Sequence, residues 1–455
     1  MLVFLRPPLD APVSLPRVAQ DKAGAAPMLC ALAFFFVMAS YYIIRPVRDQ
    51  LSGALGSASL PLFYAATFAV MLLLTPLFGL LVARLPRHKL LGWSYGFFIL
   101  CLLAFVPAFQ AQERIGARAL GVVFFVWVSV FNLVWVSVFN LFVVSLFWSF
   151  MADIFSSGRA RAVFALIALG GMAGAIVGPL VTKLLVQLIG VASLLLVSAL
   201  ALSVALALVL RLSAPPRQPL ESGADEAIGG SLWAGVRELW SRPFLRSMAL
   251  LMLFADGIGT LAYALVADYA RGHFIDAVAR TAFYNDLDLV TNLLGAALQL
   301  SLTPWLLIRR GAGWGLLLPA LVNVALLAMI AWWGSASLAL FGFSVPLLAM
   351  MLVTTRGFAY GMTKPAVDAL YTRVPRETRY KGKNVVETTV WRFGDLVVTS
   401  AVSGLRALGL GVAGLALLGT GVAALATLVA RRAGWSPDLA PERHEAAAAA
   451  DKARS

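Results

Sequence analysis

The chain has 455 residues, of which 61% are hydrophobic and only 13% charged, with a formal net charge of +14 and a mean hydropathy of +0.87. A soluble domain is nearer half apolar and a quarter charged, so the composition excludes one and defines an integral membrane protein. In a soluble protein the basic excess would suggest nucleic acid, so where that charge falls decides what it means.

Apolar runs of about 20 residues mark the membrane spans. They fall at 27–50, 59–84, 90–110, 119–151, 162–188, 191–212, 244–270, 284–308, 314–333, 336–362, 385–407 and 409–430, which predicts an all-α polytopic protein of about twelve transmembrane helices. Residues 1–26 form an N-terminal tail that does not read as a cleaved signal, because mixed polar residues precede a first span too long for one. The segment 213–243 mixes Pro, Gly and charge and reads as a linker between a six-helix half at 27–212 and a second at 244–430. Within it, 229–242 has the pattern of a short amphipathic helix on the membrane surface, with Leu232, Val236 and Leu239 on one face. The last residues, 431–455, are an Ala-rich charged tail.

With both termini cytoplasmic, 26 of the 36 Lys and Arg residues fall on the cytoplasmic side. The positive-inside rule therefore accounts for the basicity without nucleic acid, in a protein that crosses its membrane many times. Cys30 and Cys101 lie inside spans as small apolar side chains. His88, His273 and His444 all lie outside the apolar cores, which leaves no intramembrane histidine relay. A phosphate-binding Gly-rich loop, a His-Glu metal pair and a nucleophile with its base are all lacking, so no enzyme activity, metal or cofactor is expected.

Span four carries a perfect tandem repeat, Val126 to Leu133 followed by Val134 to Leu141. Eight residues turn a helix by about 80° beyond two turns. Asn132 and Asn140 therefore face differently, and the copy joined to 142–150 keeps Asn140 as the one in functional register.

Charges within spans carry the functional signal, because an ionisable group in the hydrocarbon is costly and marks a pathway. Span one closes on Tyr41-Tyr42-Ile43-Ile44-Arg45-Pro46-Val47-Arg48-Asp49. Asp256 lies in the middle of the run 248–267, where it is a candidate proton carrier or partner of a cavity arginine. Arg392 and Asp395 share one helical face in span eleven. Each half also places an acid at the end of its fourth span with bases behind it: Asp153 with Arg159 and Arg161, and Asp368 with Arg379, Lys381 and Lys383. Such pairs can close the cytoplasmic mouth, each exposed pair contributing on the order of 1 kcal/mol; ordinary positive-inside loop chemistry is the competing reading.

Gly79-Leu80-Leu81-Val82-Ala83-Arg84-Leu85-Pro86-Arg87-His88-Lys89 resembles, in degenerate form, the loop signature of the major facilitator superfamily, with Ala83 and Pro86 in place of its acid and second glycine. Gly170, Gly171, Gly174 and Gly178-Pro179 resemble its antiporter-type motif and are equally a packing surface. The stretch 41–49, the stretch Phe147-Trp148-Ser149-Phe150-Met151-Ala152-Asp153, and Lys381-Gly382-Lys383-Asn384 leading to Trp391-Arg392-Phe393-Gly394-Asp395 together resemble the ATP/ADP translocase family. That resemblance implies a twelve-helix facilitator fold of two six-helix halves and exchange of adenine nucleotides. It matches Arg48, Asp49, Arg392 and Gly394 to the family's pattern. Asp395 stands where exchangers tend to carry lysine, and 134–141 lacks their glutamate.

A facilitator's cavity is lined by the first and fourth helices of its repeats. Here these carry Tyr42, Arg45, Arg48, Asp49, Asn140, Trp148, Asp256, Tyr263, Asp268, Arg356, Tyr360 and Lys364. Arginine forks grip phosphate or carboxylate and aromatic faces stack a base, which suits a small anionic, partly apolar solute. Two transport readings stand, nucleotide exchange and a proton-coupled permease or exporter, beside a non-transporting receptor or scaffold of the same fold.

Overall fold

The computed structural model describes residues 17–69, 87–111, 119–120, 124, 157–212, 239–340, 342–374, 386 and 390–439. Helix α1 runs Arg17–Leu55 and ends in a 3-10 turn, Ser57–Ser59, that leads into α2 at 60–69. Helix α3 is Arg87–Gln110 and α4 is Ser157–Leu212. Beyond them come α5 (Pro243–His273), α6 (Ala277–Leu300), α7 (Leu302–Arg310) and α8 (Ala312–Trp333). Next are strands β1 (Ser337–Leu340) and β2 (Phe343–Pro346), then α9 (Leu347–Phe358), which passes through a π-helical turn, Ala359–Thr363, into α10 (Lys364–Tyr371). Helices α11 (Trp391–Ala407) and α12 (Val412–Gly434) complete the described chain.

Six of these helices are long and apolar enough to cross a membrane, and α6 with α7, bent by 41°, are together long and apolar enough for a further span. The apolar part of α4, 47 residues, would be about 70 Å long as one rod, against about 30 Å of hydrocarbon. Gly190 resolves this: its φ of 74° breaks the helix into two arms, 157–189 and 191–212, each of spanning length. Beyond shifts of helix ends, as in α1, which runs Arg17–Leu55 against the expected 27–50, two differences from the sequence expectation matter most. The span expected to open at 284 begins at Ala277, where Asp276 caps the helix by accepting from the Ala279 amide at 2.9 Å. The span expected at 336–362 is instead an antiparallel β1–β2 ribbon pairing Ser337 with Pro346 and Leu340 with Phe343, followed by a helix that continues to Tyr371. Leu338, Leu340, Phe343 and Val345, around a tight turn at Gly342 (φ 82°), serve a ribbon as well as a span, and hydropathy does not separate the two.

Small residues set the packing. A Cβ on Gly170 or Gly174 would overlap the backbone of Ala31 or Phe35 on α1, and one on Gly178 would lie 2.8 Å from the Ala39 carbonyl oxygen. In lipid, where apolar contact alone does not drive helices together, this backbone approach fixes α4 against α1. Prolines add a second device. Pro365 has no N–H for the Gly361 carbonyl, and Thr303 Oγ1 donates to that oxygen at 2.7 Å. Pro179 likewise leaves the Ala175 carbonyl free, and Asn292 Nδ2 of α6 donates to it at 2.7 Å. In the π turn, the Lys364 amide bonds the Ala359 carbonyl, and Gln299 Nε2 reaches the Tyr360 carbonyl at 3.1 Å.

The helices before 212 meet those after 243 toward the ends where α1 finishes and α6 begins, here termed the distal face. Asp268 accepts from the Ser57 amide at 2.7 Å and from Ser57 Oγ at 2.9 Å, and binds Arg406 Nη2 at 2.9 Å. Lys183 pairs with Asp286 at 2.9 Å on the exposed flank. At the opposite, proximal face, the buried cluster formed by Phe244, Leu245, Met248, Ala366, Leu370 and Tyr371 among others contains, among the described residues, none from before 212. Among the described residues, the two groups of helices are therefore joined by polar contacts at the distal face.

Candidate functional site

Helix α1 supplies the densest polar stretch in the described membrane interior. Pro46 removes the helical bond to the Tyr42 carbonyl, and around this break lie Tyr42, Arg45, Arg48 and Asp49, all buried. Arg48 Nε donates to Asp49 Oδ1 at 2.7 Å. The same oxygen accepts from Tyr263 Oη on α5 at 2.9 Å, and Ser52 Oγ lies 2.5 Å from that phenol. The Arg356 guanidinium of α9 stands over the Tyr263 ring, 5.1 Å from its centroid. One chain of contacts thus runs from Arg48 through Asp49 and Tyr263 to Arg356, crossing from the N-terminal to the C-terminal helices.

A second crossing lies beside it. Arg45 Nε stands 3.4 Å from Asp288 Oδ2 of α6, with side-chain exposures of 5% and 3%, while the Arg45 guanidinium carbon lies 5.6 Å from the Tyr42 ring centroid. Arg45 is ten residues from Leu55 and Asp288 eleven from Ala277, which at 1.5 Å per residue puts both about 15 Å in from the distal ends, near mid-membrane. Asp395 of α11 is 4% exposed and accepts from Thr260 Oγ1 at 2.5 Å. Tyr64 of α2 lies within the electrostatic reach of Asp395, Arg48, Arg356 and Asp256, which gathers these groups around one region. Tyr360 is 44% exposed and acts electrostatically on Tyr41, Tyr42 and Arg45, so the π turn faces α1.

Of the expected site residues, Tyr42, Arg45, Arg48, Asp49, Tyr263, Arg356, Tyr360 and Asp395 thus converge. Asp256 is half-buried on α5. Lys364 lies elsewhere in character: it is half-exposed and pairs at 3.3 Å with Asp368, one turn on, itself an expected gate residue. Asp268 closes the distal face. Arg392 sits on α11, and Arg159 and Arg161 on α4, with only their backbones described. Asn140, Trp148, Asp153, Arg379, Lys381 and Lys383 lie outside the described residues, as does the tandem repeat.

Asp288, Ser52, Thr260 and Asn292 were not anticipated from the sequence. Asp288 was within reach of it: an acid inside a span is a functional signal wherever it lies. A span taken to open at 284 left Asp288 close to an interface, whereas the helix beginning at Ala277 carries it deep.

The sequence model of the Major Facilitator Superfamily matches residues 30–397, and the chain belongs to that superfamily. Solved structures share its fold. The nucleoside transporter NupG superposes with a TM-score of 0.59 at 12% identity, over 89% of this chain and 97% of that one. A bacterial homologue of the iron transporter ferroportin, in its inward-facing state, gives 0.59 at 15% identity over 90% and 98%. The fucose:proton symporter FucP of E. coli gives 0.56 at 16% identity over 90% and 98%. No curated protein matches the sequence. The fold is therefore that of a major facilitator transporter, a multi-pass membrane protein built to carry a small solute.

Proposed function

We propose that this protein is a secondary transporter carrying a small organic anion by alternating access, with ATP/ADP-type nucleotide exchange as its leading form. The observation that carries the reading is the convergence of Arg45, Arg48 and Arg356 with Tyr42, Tyr263 and Tyr360 at mid-membrane between the two groups of helices. Guanidinium forks and aromatic faces together recognise a charged group on an otherwise partly apolar body. The positive-inside distribution makes the distal face the outer one of a bacterial inner membrane and both termini cytoplasmic. The Asp268 contacts would close the outer mouth in this state. Rocking of 27–212 against 244–430 about this belt would expose it alternately, and pairs such as Asp153 with Arg159 would close the inner mouth in the other state.

A second reading, proton-coupled carriage of an organic solute, is favoured by the charge balance. Arg45 faces Asp288, Arg48 faces Asp49, and Asp395 and Asp256 are two further acids within electrostatic reach of Tyr64. A matched cavity accommodates a singly charged solute more easily than a polyanion, because each unmatched charge in low dielectric is costly. Uptake of labelled ATP into liposomes bearing the protein, with and without internal ADP, separates the readings. Uptake that requires internal ADP and is lost in Arg48→Ala supports nucleotide exchange; absence of uptake under both loadings rejects it in favour of the proton-coupled form.

A further inference from the structure

The Arg45–Asp288 pair is unlike the other buried charges of the site. Asp49 receives Arg48 and Tyr263, and Asp395 receives Thr260, whereas Asp288 Oδ2 and Arg45 Nε each lack a hydrogen-bond partner among the described residues, their mutual separation of 3.4 Å being too long for one. Both side chains are nineteen-twentieths buried or more. The groups acting on Asp288 are Arg45, Arg48, Asp49, Tyr41 and Tyr42 from α1 and Arg356 from α9, while the charges of α7, Arg309 and Arg310, lie at the far end of that helix from α6. From α4, the charge at this level is Lys183, which is spent on exposed Asp286 at the flank. Asp288 thus has one direct charge partner, held loosely, and that partner belongs to the other group of helices.

We infer that Asp288 is the site at which a coupling proton binds, and that Arg45 is the charge the proton replaces. The inference rests on the second, proton-coupled reading of transport and assigns its coupling site. When an anionic group of the solute takes the Arg45 guanidinium, Asp288 is left as a lone carboxylate in a buried site. Such a group neutralises rather than remain charged, and it takes one proton from the aqueous phase to which the cavity is then open. One anion and one proton enter together, and the pair Arg45–Asp288 re-forms when both leave. Because the pair crosses between helices that part when the distal face opens, proton binding and the change of access act on the same contact.

The test is pH-difference infrared spectroscopy of the reconstituted protein, which needs no solute and so stands or falls separately from the identity of the anion. The wild type is expected to show the carbonyl stretch of a protonated, buried carboxyl that appears as the pH is lowered, and Asp288→Asn to lose that band. In Arg45→Gln the carboxyl, deprived of its cation, is expected to hold its proton throughout the titration, so the band becomes constant. Asp288→Glu guards against a variant that fails to fold: it should keep a titrating band at the shifted frequency of a glutamic acid. A titrating band that persists unchanged in Asp288→Asn, a band that does not move in Asp288→Glu, or the absence of any titrating buried carboxyl in the wild type would overturn the assignment.

Discussion

Replacing Asp268 by Ala should open the distal face. Its carboxylate accepts two hydrogen bonds from Ser57, on the turn after α1, while Arg406 of α11 holds it from its own side. Hydrogen bonds to a charged acceptor are worth about 1.5–3 kcal/mol when buried, and with Asp268 about a quarter exposed a figure near 1 kcal/mol for each is appropriate. Losing both therefore costs the closed distal face about 2 kcal/mol, roughly a 30-fold change in the ratio of closed to open. A distal-open fraction of about 1% would rise to about a quarter. Gly56, whose φ of 74° turns the chain toward Asp268 and Arg271, stays intact in this variant, so the turn itself is not rebuilt. Spin labels at Ile189 and Ile275, exposed positions at the distal ends of α4 and just before α6, report the separation once Cys30 and Cys101 are replaced by Ala. A second, longer distance population should appear in Asp268→Ala and be smaller in Asp268→Asn, which keeps one acceptor oxygen. Identical distance distributions in wild type and Asp268→Ala would refute the latch.

Other outcomes follow from the same contacts. Asn292→Leu should cost about 1 kcal/mol by orphaning the Ala175 carbonyl, and adding Pro179→Ala, which restores an N–H for that oxygen, should recover most of it in a thermal-unfolding double-mutant cycle. Thr303→Val should show the same rescue by Pro365→Ala, and additive effects in both cycles would argue against the account of the freed carbonyls. Gly174→Leu drives a side chain into the α1 backbone at Phe35, so folded protein recovered from the membrane should fall sharply, whereas Gly96→Leu, with open space beside it, should be tolerated. Asp438 accepts from the Phe244 amide at 3.1 Å and so caps α5 from beyond α12; Asp438→Ala should lower thermal stability by about 1 kcal/mol without altering solute recognition.

Within the described residues hydropathy alone located the helices, since the apolar runs at 90–110, at 162–212 and from 244 onward correspond to helix apart from the ribbon at 337–346, while those at 59–84 and 119–151 lie largely outside the described residues. Arg45, Arg48, Asp49 and Tyr263 were legible for a simple reason: a charge or a phenol within an apolar run needs a partner, and Arg48, Asp49 and Tyr263 partner one another while Arg45 meets Asp288. Asp288 was not, because the N-terminal boundary of a span depends on a cap such as Asp276 that hydropathy does not weigh. The roles of Thr303 and Asn292 were hidden for a different reason. Pro365 and Pro179 are visible in the sequence as breaks in the helical bonding, but which neighbouring helix answers the freed carbonyl is a property of packing. Asp395, noted as a departure from nucleotide exchangers, turns out to be buried and to accept from Thr260 of α5, a contact that the sequence does not show.

The central claim is that three arginines at mid-membrane select an organic anion, and counterflow in liposomes tests it most directly. Vesicles preloaded with unlabelled ADP, AMP or adenosine are given the same compound in labelled form. The account predicts accumulation of a phosphorylated member, none of adenosine, and loss of accumulation in Arg45→Ala and Arg356→Ala. Accumulation of adenosine alone, or accumulation of a phosphorylated member that survives both substitutions, would contradict it.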